Sequence, residues 1–155
     1  MISRTLENSI VIDRAPVEVF AYVTQPWRWH EWHPSSRSAR ADVETLRVGD
    51  SFDEVIQLQP LSPLSLTITR QTQYRVVLSE PGVIWEVRGE TRDGALTIHY
   101  DFRAEGNATL FHRRLQYEVR GAMQLVEPWL LKPRMKRLSA LALANLKAKL
   151  ERGGC

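Results

Sequence analysis

Cysteine is almost missing from these 155 residues: the single thiol, Cys155, comes last. One cysteine excludes an internal disulfide framework and fits a reducing compartment, so a cytoplasmic protein is expected. Behind Gly153 and Gly154, in what reads as a terminal tail, that thiol is also a poor candidate nucleophile. Long apolar runs are missing too, and none approaches the roughly 18 residues of a membrane span. The opening MISRTLENSIVI lacks the basic stretch and long apolar core of a signal peptide. There is no nucleophile elbow, phosphate loop or dinucleotide fingerprint, so no cofactor is expected. His30 and His33 flank Glu31, but a zinc-protease helix needs its histidines four apart with a third ligand. They are read as surface or cap residues, and no metal site is expected.

What is present suits one globular domain over residues 1–155, with 43% hydrophobic and 25% charged residues. The net charge of +3 is unevenly placed. Lys132, Arg134, Lys136, Arg137, Lys147, Lys149 and Arg152 face one acid, Glu151, within the last two dozen or so residues. The plain reading is a solvated helix face. A transient membrane-surface contact or an acidic partner is the alternative. Aromatic and basic residues are not interleaved as in nucleic-acid modules, so no nucleic acid is expected.

Periodicity supplies the architecture. Leu6, Asn8, Ile10 and Ile12 alternate with Glu7, Ser9 and Val11, the pattern of a strand with one buried face. Pro16 suits the first turn of a short helix carrying Val19, Phe20 and Val23. Trp27 to Pro34 reads as a second helical turn, followed by a polar loop. Residues 51–58, 64–78, 83–89, 95–104 and 109–119 read as strands of an antiparallel meander, with the first connection bracketed by Pro60 and Pro63. A short helical segment over 122–131, a restart at Pro133 and a long helix to Glu151 complete the chain. On that helix Met135, Leu138, Ala142, Leu146 and Leu150 form one apolar stripe.

A strand, two short helices, a curved antiparallel sheet and a long C-terminal helix is the order of the α+β helix-grip fold. The chain resembles the START/Bet v 1-like (SRPBCC) superfamily, and most of all its polyketide cyclase/dehydrase and lipid-transport branch. The resemblance is carried by Ile12 to Phe20 (IDRAPVEVF), Trp32 with Pro34, the hairpin Glu105-Gly106-Asn107-Ala108-Thr109, and Leu146 to Glu151. It implies a sheet wrapped around the last helix, with a cavity between them for an apolar ligand such as a lipid or polyketide. Those motifs are structural, and fold alone does not settle chemistry.

Strand parity then nominates the cavity face. It points inward Phe52, Glu54, Ile56 and Leu58; Leu66, Ile68, Arg70, Thr72, Tyr74, Val76 and Leu78; Val83, Trp85 and Val87; Leu96, Ile98, Tyr100 and Phe102; and Phe111, Arg113, Leu115, Tyr117 and Val119. Glu86, Asp101, His99 and His112 fall on the outer, solvent-facing parity. Arg70, Tyr74, Trp85, Tyr100, Phe102, Arg113, Leu115, Tyr117, Trp129 and Leu138 are the candidate ligand contacts. The charges Glu54, Arg70 and Arg113 admit two readings. One is a structural Glu54–arginine pair or arginines reaching water at strand ends; the other is a pocket that orients a carboxylate, enol or ketone. If a reaction occurs, Glu54 or Tyr100 would move protons and Arg113 or Arg70 would stabilise an oxyanion. The leading expectation is binding or transport of a small hydrophobic ligand. A polyketide cyclase, aromatase or dehydratase comes second, and a protein-interaction module third.

Overall fold

The structure, a computed structural model, describes residues 1–61 and 66–152, without the side chains of 59–61 and 66. The connection at Pro63, the first residues of the strand expected from 64, and Cys155 therefore lie outside the described residues. Seven strands, β1 (Ile2–Ile12), β2 (Ser36–Ala41), β3 (Ser51–Leu61), β4 (Leu66–Glu80), β5 (Ile84–Thr91), β6 (Gly94–Glu105) and β7 (Ala108–Val119), form one sheet. Its order is β1-β7-β6-β5-β4-β3-β2, with all neighbours antiparallel. After β1 come helix α1 (Pro16–Val23) and a tight helical turn (Pro26–Glu31). After β7 a tight turn (Gly121–Leu125), a wide turn (Glu127–Leu131) and helix α2 (Lys132–Arg152) follow. This is the helix-grip architecture.

Local chemistry explains these boundaries. Pro16 opens α1 in its first turn, where the missing N–H is not needed. Pro133 is the second residue of α2, so it starts the helix rather than kinking it. Gly106 takes φ +61° in the β6–β7 hairpin, a left-handed conformation that suits glycine. Of the α2 stripe, Leu138, Ala142 and Leu146 are buried and Met135 and Leu150 are half-buried, with Leu143 buried beside them.

Three expectations are corrected. The segment read as a polar loop after Pro34 contains β2, an edge strand paired with β3. Its residues, SRSARA, are mostly polar and mostly exposed, so they carry no apolar alternation to read. Leu78 and Val83 are 42% and 47% exposed rather than inward. A register shift between Val76 and Leu78 inserts a bulge that turns Leu78 outward, and Val83 lies in the turn before β5 rather than in the strand. The outer face is less solvated than parity suggests, since Glu86 and His99 are buried. The His99 ring meets Glu86 Oε1 at 2.9 Å through Nδ1 and Asp101 Oδ1 at 3.1 Å through Nε2, tying β5 to β6.

Aromatic side chains fill one end of the grip. Phe20 and Phe111 pack on Phe102, and Tyr100 stacks on Trp85 at 5.3 Å between centroids. Trp29 stands edge-on to Phe52, Tyr74 and Trp85, with its Nε1 donating to Val23 O at 2.8 Å. Each such pair adds about 0.5–1.5 kcal/mol beyond area burial. The space left over lies toward the other end.

Candidate functional site

Strand register builds the site. Tyr100 on β6 lies opposite Trp85 on β5 and Arg113 on β7, while Ile98 and Leu115 pair one step nearer the mouth. On the far side of the sheet Glu54 stands on β3, and Tyr74 on β4 reaches over it. Gly89 makes room for this, because a Cβ there would fall 2.5 Å from the Tyr74 ring. From α2 come Met135, Leu138 and Ser139, and from the loop after the second helical turn come His33 and Ser35. Together they enclose a cavity of about 40 Å³.

Arg113 is the unusual group. It is 4% exposed, yet it forms no ion pair among the described residues. Its Nη1 donates to Ser139 Oγ at 3.4 Å and its Nη2 lies 3.4 Å from His33 Nε2. Its Nε has no partner among the described residues. Those two contacts are at the long edge of hydrogen bonding, and the Tyr100 hydroxyl beside it is a neutral partner, so the charge of the guanidinium is poorly compensated. Burial and the nearby guanidinium hold His33 well below the usual imidazole range, so its ring is neutral. Ser35 Oγ sits 2.9 Å from His33 Nδ1, which suits a proton on Nδ1 and an Nε2 that accepts from Arg113.

Burial pushes the Glu54 carboxyl up to about 7, against the opposing pull of hydroxyl hydrogen bonds and the charge of Arg113. Tyr74 Oη donates to Glu54 Oε1 at 3.1 Å. Burial likewise raises both Tyr74 and Tyr100, with Arg113 opposing the rise. Near neutral pH the polar end thus holds a guanidinium, a neutral imidazole and a carboxyl that burial makes far more willing to keep its proton than an exposed one. Arg113 acts on Glu54 at longer range, not as an ion pair.

A second, apolar compartment of about 90 Å³ shares Ile56, Leu96 and Met135 with the first and continues to a mouth. Met123, Leu131, Tyr117 and Val119 line it, and Arg70 with Asp93 borders it. Arg70 Nε and Nη2 grip Asp93 at 3.1 and 2.9 Å, so this arginine is a rim clamp rather than an inner cation. Behind the wall, Glu127 is fully buried and accepts from Arg4 Nε at 2.7 Å and Tyr117 Oη at 3.1 Å. That network fastens the wide turn before α2 to β1 and β7.

Of the sequence-derived candidates, Glu54, Tyr74, Tyr100, Arg113, Leu115 and Leu138 meet in the inner cavity. Arg70 and Tyr117 border the outer compartment. Trp85 and Phe102 are buried in the aromatic packing behind the cavity and line neither compartment. Trp129 is 63% exposed on the outer surface, with its Nε1 bonded to Leu125 O. His33, Ser35, Met135 and Ser139 were missed as contacts. Ser139 follows Met135 by four residues on the buried helix face, a spacing that could have found it. His33 is delivered by a loop, where periodicity carries no information.

Comparison with known proteins agrees with this fold. A structure of the protein TTHA0849 from Thermus thermophilus superposes with a TM-score of 0.74 at 12% identity, covering 98% of this chain and 100% of that one. The Zhui aromatase/cyclase from Streptomyces sp. R1128 gives 0.71 at 11% identity, covering 97% and 95%. Ara h 8.0201 gives 0.55 at 8% identity, covering 92% and 99%. At such identities these likenesses concern the fold alone. No curated protein is similar enough in sequence to match. Residues 3–151 match the family described as polyketide cyclase / dehydrase and lipid transport. The chain belongs to that family, within the START/Bet v 1-like superfamily.

Proposed function

We propose that residues 1–155 form one cytoplasmic ligand-binding domain for a small hydrophobic molecule whose anionic or enolate oxygen faces Arg113. The observation that carries this reading is a buried guanidinium in no direct ion pair among the described residues, with Glu54 acting on it only at longer range, in a cavity otherwise lined mainly by aromatic and aliphatic side chains. A bound oxyanion would supply the missing charge and take up the free Nε. The apolar compartment toward the mouth would hold the hydrophobic body. The space is closed down at about 40 and 90 Å³, below the few hundred Å³ typical of ligand pockets. Entry therefore requires Met135, which borders both compartments, to swing aside, a movement suited to its unbranched thioether chain.

A second reading is favoured by one specific observation: Glu54 is poised near neutrality, beside Tyr74 and within the field of Arg113. That suits proton transfer at a ketone or enol, with Arg113 holding the developing oxyanion. The structural likeness to an aromatase/cyclase is in keeping with it. Native mass spectrometry of the purified protein, followed by denaturing extraction, tests the binding reading. An acidic or enolisable hydrophobic molecule is expected; a neutral, non-enolisable one bound at full occupancy would refute the role given to Arg113. For the enzyme reading, Glu54→Gln should abolish turnover of the extracted compound and leave its affinity within about twofold.

A further inference from the structure

The turn segment that borders the cavity mouth has an outer surface the ligand site does not use. There Leu125 is 77% and Trp129 63% exposed, with Ala122 and Pro128 also exposed. The only donor of the Trp129 ring already bonds to Leu125 O at 2.9 Å, so the indole offers water nothing but apolar surface. Lys132, Lys136 and Arg137 follow within the first turns of α2. Most acids of the neighbouring elements are engaged elsewhere: Asp93 is gripped by Arg70, Glu118 has Arg120 at 4.0 Å, and Glu127 is fully buried and held by Arg4, with Lys132 near enough to feel its charge while Lys136 and Arg137 stay exposed. On the same segment Met123 and Leu131 line the mouth of the apolar compartment.

We propose that this face, Leu125 and Trp129 backed by Lys132, Lys136 and Arg137, docks on an anionic lipid bilayer and presents the cavity mouth to it. A tryptophan and leucines beside a cluster of cations fit the interfacial zone of a bilayer, where the rings enter the headgroup layer and the cations meet lipid phosphates. No described helix is long and apolar enough to span, so the contact is peripheral. The docking goes beyond the ligand-binding reading and does not depend on what the cavity holds.

Cosedimentation of the whole protein with vesicles tests it, using phosphatidylcholine alone and phosphatidylcholine with about a third phosphatidylglycerol. Binding is expected only to the anionic vesicles, weakening as salt screens the charges. Lys136→Gln and Arg137→Gln should each lose about fivefold in affinity. Leu125→Ala combined with Trp129→Ala should lose at least about tenfold, with an unchanged melting temperature, since both side chains are exposed. Arg113→Met should bind vesicles as the unaltered protein does, even where it has lost its ligand. Equal binding to both vesicle types, or none to either, would overturn the proposal. So would full binding by the Leu125/Trp129 variant, or loss of binding on Arg113→Met, which would mean lipid enters the cavity rather than the surface docking on it.

Discussion

Replacing Arg113 by methionine should make the empty protein more stable and a poorer binder. The guanidinium is 4% exposed with two 3.4 Å contacts and an unsatisfied Nε. Exchanging a poorly compensated buried ion for an apolar side chain of similar length typically yields between about 0 and 4 kcal/mol. His33 Nε2 would lose its donor, at a cost of about 1 kcal/mol. A net gain of about 1–2 kcal/mol is expected, a rise in Tm of about 4 °C for a chain of this length. Thermal and urea unfolding of the ligand-free protein at pH 7 would measure it. A fall in Tm of comparable size would refute the reasoning. It would mean that Arg113 and Glu54 act as a structural ion pair, and that the cation is not held in reserve for a ligand.

Further predictions concern the groups around it. Glu54 sits at about 7 when folded, against a usual 4.5, so the folded state holds the extra proton between those values. Its contribution to stability is complete below pH 4.5 and is lost as pH rises through 7, by about 3 kcal/mol in all. His33, held neutral, acts in the opposite sense below its usual 6.5, so the parent and Glu54→Gln must be compared at each pH. Glu54→Gln should melt several degrees higher than the parent at pH 8 and show no such advantage at pH 5. Arg70→Ala should cost only about 0.5–1 kcal/mol, because the Arg70–Asp93 clamp is partly solvated. The same change should speed ligand release in stopped-flow, since it opens the rim. Glu127→Gln should lower the urea midpoint by more than Arg70→Ala does, because Glu127 is fully buried between Arg4 and Tyr117.

Much of the architecture was legible because sheet and helix periods differ. Alternation in β1, β6 and β7 put Ile12, Tyr100, Arg113 and Leu115 on the buried face, and they are there. The α2 stripe was equally plain. Legibility failed where the period is interrupted or absent. The bulge at Val77 turned Leu78 outward, and the polar edge strand β2 carried no alternation to read. Loop-borne groups such as His33 and Ser35 reach the cavity by tertiary placement alone. Trp129 reads as a ligand contact from its place just before α2, yet the wide turn at Glu127–Leu131 leaves its ring outside. Charge partners were the least readable feature. Nothing local to Arg70 and Arg113 foretells that the first finds Asp93 across a hairpin while the second finds no carboxylate among the described residues.

The role proposed for Arg113 is that of an anion receptor inside an apolar cavity. The most direct measurement is calorimetric titration with 2-naphthoate and with 2-naphthamide, which share a shape and differ in charge, against the unaltered protein and Arg113→Met. A charge-assisted hydrogen bond to a buried guanidinium predicts that the carboxylate binds about tenfold tighter or better. Arg113→Met should erase that preference while leaving amide affinity within about twofold. Equal affinities in the unaltered protein, or a carboxylate preference that survives Arg113→Met, would contradict the account.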